Sequence, residues 1–484
     1  MNLWELGVVD AAELLSKREV SSEELTKAVI GRVRDCDGKT GAYLTFDEEG
    51  ALAAARDADA RRAAGEDGPL LGVPVAIKDL INVKGQPCTC ASKILKGYVS
   101  PYDATVTERL KTAGAVCAGR TNMDEFAMGS SCENSALGET RNPWNLEFVP
   151  GGSSGGSAAA VGGDLAIAAL GTDTGGSIRQ PAAFCGCVGV KPSYGRVSRF
   201  GVTAFASSLD QVGPMTKTVR DSARLLGALC GADGRDGTMP PEPVPDFEAA
   251  TSNPSPKGLK IGVPREYIME GTSPEIVESV KKAADEMARA GAEVEEVSLP
   301  HTDYAMAVYY VIAPAEASAN LSRFDGVRYG YRSPRSEDVF TLYTRTRAEG
   351  FGQEVKRRII MGTYVLSSGH YDAYYGRAQK VRTLVRRDFE KAFAKVDALL
   401  APVTPSPAFK LKAVLEPLQM HLSDIFTVPA SVAGVCAMSV PCGLSAGGLP
   451  LGVQFISAAF AEEKMFRAAA AYEALRGPMP KPRL

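Results

Sequence analysis

Two glycine-framed serine segments, GGSSGGS at residues 151–157 and GTDTGGS at residues 171–177, lie close together in this chain. Glycines on both sides of a serine let the backbone approach a ligand and turn several N–H groups toward it, which suits a phosphate or an oxyanion. The apolar residues between the segments predict a short buried helix at Ala158–Val161 and a buried strand at Leu165–Leu170. The glycines therefore belong to the core of an α/β fold rather than to a linker.

Other interpretations of the glycine loops are weaker. An isolated Gly/Ser run is more often a flexible loop. A phosphate-binding P-loop closes on a Lys-Ser or Lys-Thr pair, which neither loop has. An esterase elbow needs a histidine from a distant segment. A Ser-His-Asp triad stays open but is poorly supported, because ordinary surface or packing roles are favoured for all three histidines, His301, His370 and His421.

A lysine closes an apolar run upstream of both loops. The run is GVPVAIKD at residues 72–79, and Lys78 follows its hydrophobic part. Burial of an ammonium group lowers its pKa, and a shift from about 10.4 to near 7 corresponds to roughly 4.6 kcal/mol against the charged form. Repulsion from Arg179 would add to this shift if that charge lies nearby. A lysine kept neutral in this way can act as a base.

The second loop continues into a longer recognisable pattern. The run from Gly151 to Lys191 includes GTDTGGSIRQP at residues 171–181 and CGCVGVKP at residues 185–192. This run resembles the signature sequence of the amidase signature family. The resemblance implies a Ser-Ser-Lys triad with Ser177 as nucleophile, Ser153 as proton relay and Lys78 as base.

The resemblance also implies how the triad is used. A serine hydroxyl is a weak nucleophile until a base takes its proton, which here passes through the bridging serine to the lysine. An acyl-enzyme then forms, and water clears it. The oxyanion hole is expected to consist of the backbone N–H groups of Thr174, Gly175, Gly176 and Ser177.

Further segments resemble one branch of this family, the glutaminase subunits of tRNA-dependent amidotransferases, and the similarity runs over essentially the whole chain. The branch is implied by NMDEFAMGSS at residues 122–131, SRFDGVRYGY at residues 322–331 and YDAYY at residues 371–375. Such a subunit hydrolyses glutamine and passes ammonia to a partner, which converts Glu-tRNA(Gln) to Gln-tRNA(Gln). The implied glutamine-binding residues are Tyr309, Arg358, Asp424 and Gly129.

The charged members of this set have suitable chemistry. An arginine fork matches the α-carboxylate of glutamine, and an aspartate matches its α-ammonium group. Without the resemblance, Arg358 would be interpreted as a solvated helix charge, and Arg357 stays open as the carboxylate ligand.

Composition bears on partners and cofactors. With 54 basic and 57 acidic residues the net charge is −3, so the overall charge does not predict that this chain binds RNA by itself. The resemblance implies a heterotrimer with B and C subunits, in which a partner subunit holds the tRNA, ATP and Mg²⁺. This chain is expected to bind no cofactor and no metal, since its ten cysteines contain no Cys-x-x-Cys pair.

Cellular location is predicted from the cysteines and the first residues. Several cysteines lie in apolar segments, and residues 1–9 lack a basic region followed by an apolar one, so a reducing cytoplasm is expected. The uncharged stretch Ile425–Ala461 is interrupted by prolines and glycines too often for a membrane span. Its pieces at Ala437–Val440 and Val453–Ile456 are predicted to be strands buried on both faces.

Alternating helix and strand signals predict an α/β fold. With the resemblance, this becomes a single large amidase-signature domain over residues 1–484, with a mixed central β-sheet and helices on both faces. Residues 1–65 would form an N-terminal helical part, and the proline-rich residues 231–256 a surface crossover. Ser21 and Glu24 form a predicted capping box, and Asp10 with Glu13 predicts the start of the preceding helix.

Individual elements follow from periodicity and breakers. Predicted helices are Glu48–Ala64, Ala104–Ala113, Thr218–Leu229, Pro274–Ala290 and Ala461–Leu475. Predicted strands are Val73–Ile77, Ala115–Ala118, Leu165–Leu170, Leu259–Val263, Glu293–Val297 and Ala398–Leu400.

Two further functions stay open. A stand-alone amidase for another small amide would turn over simple amides without a partner. A scaffold that has lost catalysis would keep the fold alone, although the intact Lys78, Ser153 and Ser177 argue against it.

Overall fold

A computed structural model describes residues 2–414 and 417–484. Eleven strands form one sheet in the order β1-β3-β2-β4-β6-β5-β10-β11-β9-β7-β8. The strands are β1 Tyr43–Thr45, β2 Pro74–Lys78, β3 Val116–Thr121, β4 Ala168–Asp173, β5 Val188–Lys191, β6 Gln211–Thr216, β7 Lys260–Pro264, β8 Glu293–Val297, β9 Ala398–Pro402, β10 Cys436–Leu444 and β11 Pro450–Ser457.

The sheet is mixed. Strand β2 is parallel to both of its neighbours, β3 and β4, while β4 is antiparallel to β6. Parallel pairing returns at the far edge, where β7 pairs with β8 and β9. The predicted fold class is therefore confirmed.

Fifteen α-helices are present in the described residues and pack around this sheet. They are α1 Val8–Ser16, α2 Ser22–Thr40, α3 Glu48–Ala63, α4 Thr105–Thr112, α5 Gly155–Gly162, α6 Arg179–Cys185, α7 Val219–Leu229, α8 Pro274–Arg289, α9 Ala305–Asn320, α10 Val339–Gly350, α11 Gln353–Leu366, α12 Arg377–Phe393, α13 Pro417–Leu422, α14 Val428–Ala433 and α15 Glu462–Arg476. The predicted helices and strands agree with these bounds to within a few residues.

Helix starts illustrate what local sequence encodes. The Ser21 side chain accepts from the Glu24 N–H, and Glu24 caps in return, so the predicted capping box is confirmed. The predicted start at Asp10 is wrong, because α1 begins at Val8. The carboxylate of Asp221, from α7, accepts from the Val9 N–H at 2.8 Å and so caps α1 from a distant part of the chain.

The strand predicted at Leu165–Leu170 lies further along the chain. Asp164 has a positive φ of 61°, and the Leu165 N–H bonds back to Ala160, so the chain is still turning out of α5 there. Pairing with β2 starts at Ala168, opposite Val75, and the strand runs on to Asp173. This shift carries the second glycine loop to the very end of β4.

Two longer segments were also predicted. Ile425–Ala461 contributes α14, β10 and β11 to the core, as predicted. No helix within the described ranges has the length and apolarity needed to cross a membrane. Residues 231–256 are mostly exposed and contain one short 3₁₀ turn at Ala249–Thr251. The predicted domain limits stay a prediction.

Candidate active site

Lys78 is the last residue of β2 and is fully buried. Its Nζ lies within hydrogen-bond distance of three hydroxyl oxygens: Ser153 Oγ at 2.8 Å, Ser154 Oγ at 2.8 Å and Thr172 Oγ1 at 2.9 Å. Strand β2 lies directly beside β4, which carries Thr172, and the glycine loop 151–157 supplies both serines. The structure thus joins two of the three predicted triad residues, Lys78 and Ser153.

Burial lowers the pKa of Lys78 to about 7. The nearby carboxylates of Asp124, Asp173 and Asp210 oppose this shift, but desolvation outweighs them. An amine with this pKa is about half neutral at neutral pH and can accept a proton. The pKa of Lys78 is therefore suited to the predicted role of base.

Arg179 does not supply the repulsion considered from sequence. Its guanidinium forms a buried bidentate pair with Asp173, with Nε–Oδ2 at 2.9 Å and Nη2–Oδ1 at 3.0 Å. Asp173 therefore compensates its charge. Burial lowers the pKa of Lys191 to about 8, and the charge of Arg179 adds to that lowering.

The loop 174–177 is held by its carbonyl groups. Gly175 O accepts from Thr427 Oγ1 at 2.7 Å, Gly176 O from the Gln180 N–H at 2.8 Å, and Ser177 O from the Ser154 N–H at 3.1 Å. Within the described part of the chain, the N–H groups of residues 174–177 have no hydrogen-bond partner. The loop is thus fixed in a conformation that leaves four donors free for an anion.

Gly176 is required at its position. Its φ is +145°, and a Cβ there would lie 2.2 Å from Thr427 Oγ1. Ser177, the next residue, is 8% exposed. Its hydroxyl, the predicted nucleophile, has no hydrogen-bond partner in residues 2–414 and 417–484, Ser153 included. Catalytic hydrogen bonds commonly tighten only when substrate is bound.

Tyr309 and Asp424, two of the predicted glutamine-binding residues, lie beside this loop. The Tyr309 ring packs on Gly175, where an added Cβ would meet it at 2.8 Å. Asp424 Oδ1 would lie 3.3 Å from a Cβ on Gly176. The other oxygen, Oδ2, accepts from Ser130 Oγ, whereas buried Oδ1 has no partner among the described residues. Burial raises the pKa of Asp424 to about 7.

Arg358 faces inward from α11, whereas Arg357 is partly exposed. Arg358 Nε donates to Glu354 at 2.6 Å, and its guanidinium lies over the Phe205 ring at 5.5 Å. In the part of the chain that is described, its two Nη groups have no hydrogen-bond partner. Arg357, by contrast, is hydrogen-bonded to Glu354 and His421. Arg358 therefore has free donors at a buried position, and its role as carboxylate ligand stays a prediction.

Gly129 lies next to the Ser130 that contacts Asp424. A Cβ on Gly129 would lie 2.4 Å from the Asp124 carboxyl group, so a side chain has no room. Gln180 connects this region to the first glycine loop, because it donates to Ser130 O at 2.8 Å and accepts from the Gly152 N–H at 2.9 Å.

The histidines are not assembled into a triad in the described ranges. His301 pairs with Asp388 at 2.9 Å, His370 contacts the nearby Ser367, and His421 stacks on Tyr310. None of them bonds to Ser153 or Ser177. Across those same residues, no three His, Cys, Asp or Glu side chains are grouped to hold a metal ion.

Comparison with known proteins shows the family of this chain. The family model described as Amidase matches residues 24–466. The chain belongs to the amidase family.

Several amidase-family proteins are similar over nearly the whole chain. The A subunit of glutamyl-tRNA(Gln) amidotransferase from Roseiflexus sp. (strain RS-1) is 58% identical, covering 97% of this chain and 96% of that protein. The crystal structure of the corresponding protein from Thermotoga maritima is 41% identical with a TM-score of 0.82, covering 100% of this chain and 99% of that one. Native peptide amidase from Stenotrophomonas maltophilia is 32% identical with a TM-score of 0.84, covering 99% and 98%.

The structure adds amidase-site residues that the sequence did not single out. Ser154 and Thr172 complete the hydroxyl cage around Lys78. Asp124 accepts from the N–H groups of Cys132 and Asn134, and burial raises its pKa to about 6. Hydroxyl and acidic residues inside apolar, glycine-rich motifs were the available signal for all three.

Proposed function

We propose that this chain is the glutaminase subunit of a tRNA-dependent amidotransferase and hydrolyses glutamine through Ser177, Ser153 and Lys78. The observation that carries the proposal is a fully buried lysine with a pKa of about 7 that contacts Ser153. Near full-length similarity to the A subunits of glutamyl-tRNA(Gln) amidotransferases supports the choice of substrate.

The hydroxyl cage suits a proton relay. Ser154 donates to Thr172 O at 3.1 Å, so it must accept from Lys78. Neutral Lys78 has two N–H donors, which serve Ser154 and Thr172, and one lone pair. That lone pair is then free to accept the Ser153 proton, while Ser153 takes the proton of Ser177.

Deprotonated Ser177 attacks the side-chain carbonyl carbon of glutamine. A C–O bond forms, the carbonyl oxygen becomes an oxyanion, and the free N–H groups of loop 174–177 stabilise it. Lys78 returns its proton through Ser153 to the leaving nitrogen, and the C–N bond breaks to release ammonia. Water then hydrolyses the glutamyl ester by the same base and yields glutamate.

Recognition of glutamine rests on three side chains around this loop. The unpartnered Asp424 Oδ1 would accept from the α-ammonium group, and the two Nη groups of Arg358 would bind the α-carboxylate. Tyr309 closes the pocket against Gly175. Gly129 leaves room for the Asp124 carboxyl group and precedes Ser130, which contacts Asp424.

The proposal extends to partners. The ammonia would pass to a B subunit that binds tRNA, ATP and Mg²⁺ and converts Glu-tRNA(Gln) to Gln-tRNA(Gln), with a C subunit completing a heterotrimer. The chain itself would need no cofactor. We place the complex in the cytoplasm, in keeping with ten free cysteine thiols.

The alternative is a stand-alone amidase, which similarity to a peptide amidase supports. The test is an assay of ammonia release from glutamine, propionamide and a C-terminally amidated peptide, with and without the B and C subunits. We expect glutamine to be preferred and the partners to raise its turnover. Equal or faster turnover of the other amides without partners would favour the alternative.

Replacing Arg358 by alanine is expected to raise KM for glutamine about 100-fold, because a charge-assisted bidentate contact with the α-carboxylate is lost. Arg357→Ala is the matched control, since Arg357 is adjacent and also binds Glu354. Its KM should stay close to that of the unmodified chain. A larger effect from Arg357→Ala would transfer the carboxylate-binding role to Arg357.

A further inference from the structure

Asp210 and Thr174 face each other where two neighbouring strands meet the active site. Strand β4 ends at Asp173 and β6 begins at Gln211, and these two residues are paired in antiparallel register. The adjoining Thr174 Oγ1 donates to Asp210 Oδ1 at 2.7 Å. The first residue of the predicted oxyanion loop is thus held by a buried carboxylate outside the proposed triad and glutamine-binding set.

The second oxygen of Asp210 closes a turn. Oδ2 accepts from the N–H groups of Phe205 at 2.9 Å and Ala206 at 3.0 Å, and the Asp210 N–H bonds back to Ala206 O at 2.9 Å. Three donors therefore converge on one carboxylate. Only an acidic side chain accepts from all three with both oxygens.

This turn, residues 205–210, supports the substrate side of the pocket. The Phe205 ring lies beneath the Arg358 guanidinium, 5.5 Å from its central carbon. Phe205 O accepts from Asn320 Nδ2 at 3.2 Å, and the Ser208 N–H donates to Glu316 at 2.8 Å. Both partners belong to α9, the helix that carries Tyr309.

We propose that Asp210 is a positioning residue that holds the oxyanion loop, through Thr174, and the Phe205 support of Arg358 as one unit. It couples stabilisation of the transition state to binding of the substrate carboxylate. The inference rests on the proposed function for the identity of the substrate, but its central step, the placement of Thr174, concerns any acyl or phosphonyl transfer at Ser177.

The test compares Thr174→Val, Thr174→Ser, Asp210→Asn and the double variant Thr174→Val/Asp210→Asn in the full chain with its partner subunits. We measure kcat and KM for glutamine and the rate at which an alkyl fluorophosphonate labels Ser177. Because valine matches threonine in shape but lacks the hydroxyl, kcat should fall about 100-fold with little change in KM. Serine keeps the donor and should restore kcat.

Asp210→Asn should lower kcat and also raise KM about tenfold, because asparagine has a single acceptor oxygen and cannot accept from both Thr174 and the turn, so the link between the oxyanion loop and the Phe205 support of Arg358 is lost. The double variant should have the kcat of Asp210→Asn alone, because both changes remove the same contact. Asp236→Asn is the control, since Asp236 pairs with the neighbouring Arg199 and does not contact Thr174.

The inference would be overturned if the kcat loss of the double variant equalled the product of the two single losses, or if kcat were unchanged in Thr174→Val. If Asp210→Asn does not fold, the threonine variants still decide it, because valine and serine fit the same space. If the unmodified complex does not hydrolyse glutamine but Ser177 is labelled by the fluorophosphonate, the proposed substrate is wrong. The labelling rates of the variants still test the placement of Thr174.

Discussion

Replacing Ser177 by alanine is expected to lower kcat for glutamine hydrolysis by about 10⁴-fold or more, the scale seen when a serine nucleophile is removed from a hydrolase. The loop 174–177 contains one other hydroxyl, that of Thr174, and this hydroxyl is hydrogen-bonded to Asp210. The measurements are ammonia release from glutamine and the mass of the intact chain after treatment with an alkyl fluorophosphonate. The alanine variant should gain no adduct.

Ser157→Ala is the matched control. Ser157 closes the first glycine segment and is also buried, but its hydroxyl bonds to Leu170 O at 2.9 Å and to Thr121 at 2.7 Å rather than to Lys78. Its loss should cost about 1 kcal/mol of folding stability and leave kcat nearly unchanged. A normal kcat in Ser177→Ala would refute the proposed nucleophile. If Ser157→Ala lost as much kcat as Ser177→Ala, the loss in Ser177→Ala would reflect damage to the glycine segments rather than loss of a nucleophile.

The sequence was sufficient for the fold class, whereas the placement of Ser153 beside Lys78 followed from the resemblance to the amidase signature family. The apolar runs Val73–Ile77 and Leu165–Leu170 predict buried strands, and the observed strands β2 and β4 are neighbours in the sheet, with β4 shifted about three residues along the chain. The glycine loops predict free N–H groups because glycine alone permits the conformation seen at Gly176. These are local properties, and local sequence encodes them.

Contacts between distant segments could not be predicted in the same way. Asp221 caps α1 from more than two hundred residues away, so the start of that helix has no local signal. Asp210 reaches Thr174 only because β4 and β6 are neighbours in the sheet, although β5 lies between them in the chain. The orientation of Arg358 rather than Arg357 depends on how α11 packs against α9, which helical periodicity in a run of three basic residues does not decide.

Replacing Lys78 by methionine or arginine is expected to lower kcat by about 10²- to 10⁴-fold, the scale of a lost general base. Arginine keeps the positive charge and the hydrogen-bond donors but has no lone pair to accept a proton at any accessible pH. The comparison therefore separates a base from a mere hydrogen-bond donor. In the unmodified chain, kcat at saturating glutamine should rise with pH and level off above about 7, the pKa of Lys78. The buried carboxylate of Asp424 also titrates near this pH, but it binds substrate and should appear in KM.

Stability should change in the opposite direction from activity for Lys78→Met. The pKa of Lys78 is lowered from 10.5 to about 7 on folding, so between these values the unfolded chain binds more protons and the free energy of unfolding rises with pH. Below pH 7 the buried charge of Lys78 lowers the free energy of unfolding by its full amount, up to about 4 to 5 kcal/mol. Lys78→Met removes this destabilisation but also loses three hydroxyl contacts, which reduces the net gain. Thermal unfolding at pH 6 should therefore give Lys78→Met a midpoint above that of the unmodified chain, with the advantage shrinking toward pH 10. A destabilised and inactive Lys78→Met chain would indicate that Lys78 is a charged structural residue that holds the two glycine loops together. A stabilised and inactive chain is expected if Lys78 is kept neutral, at a cost in folding stability, so that Ser177 can be activated.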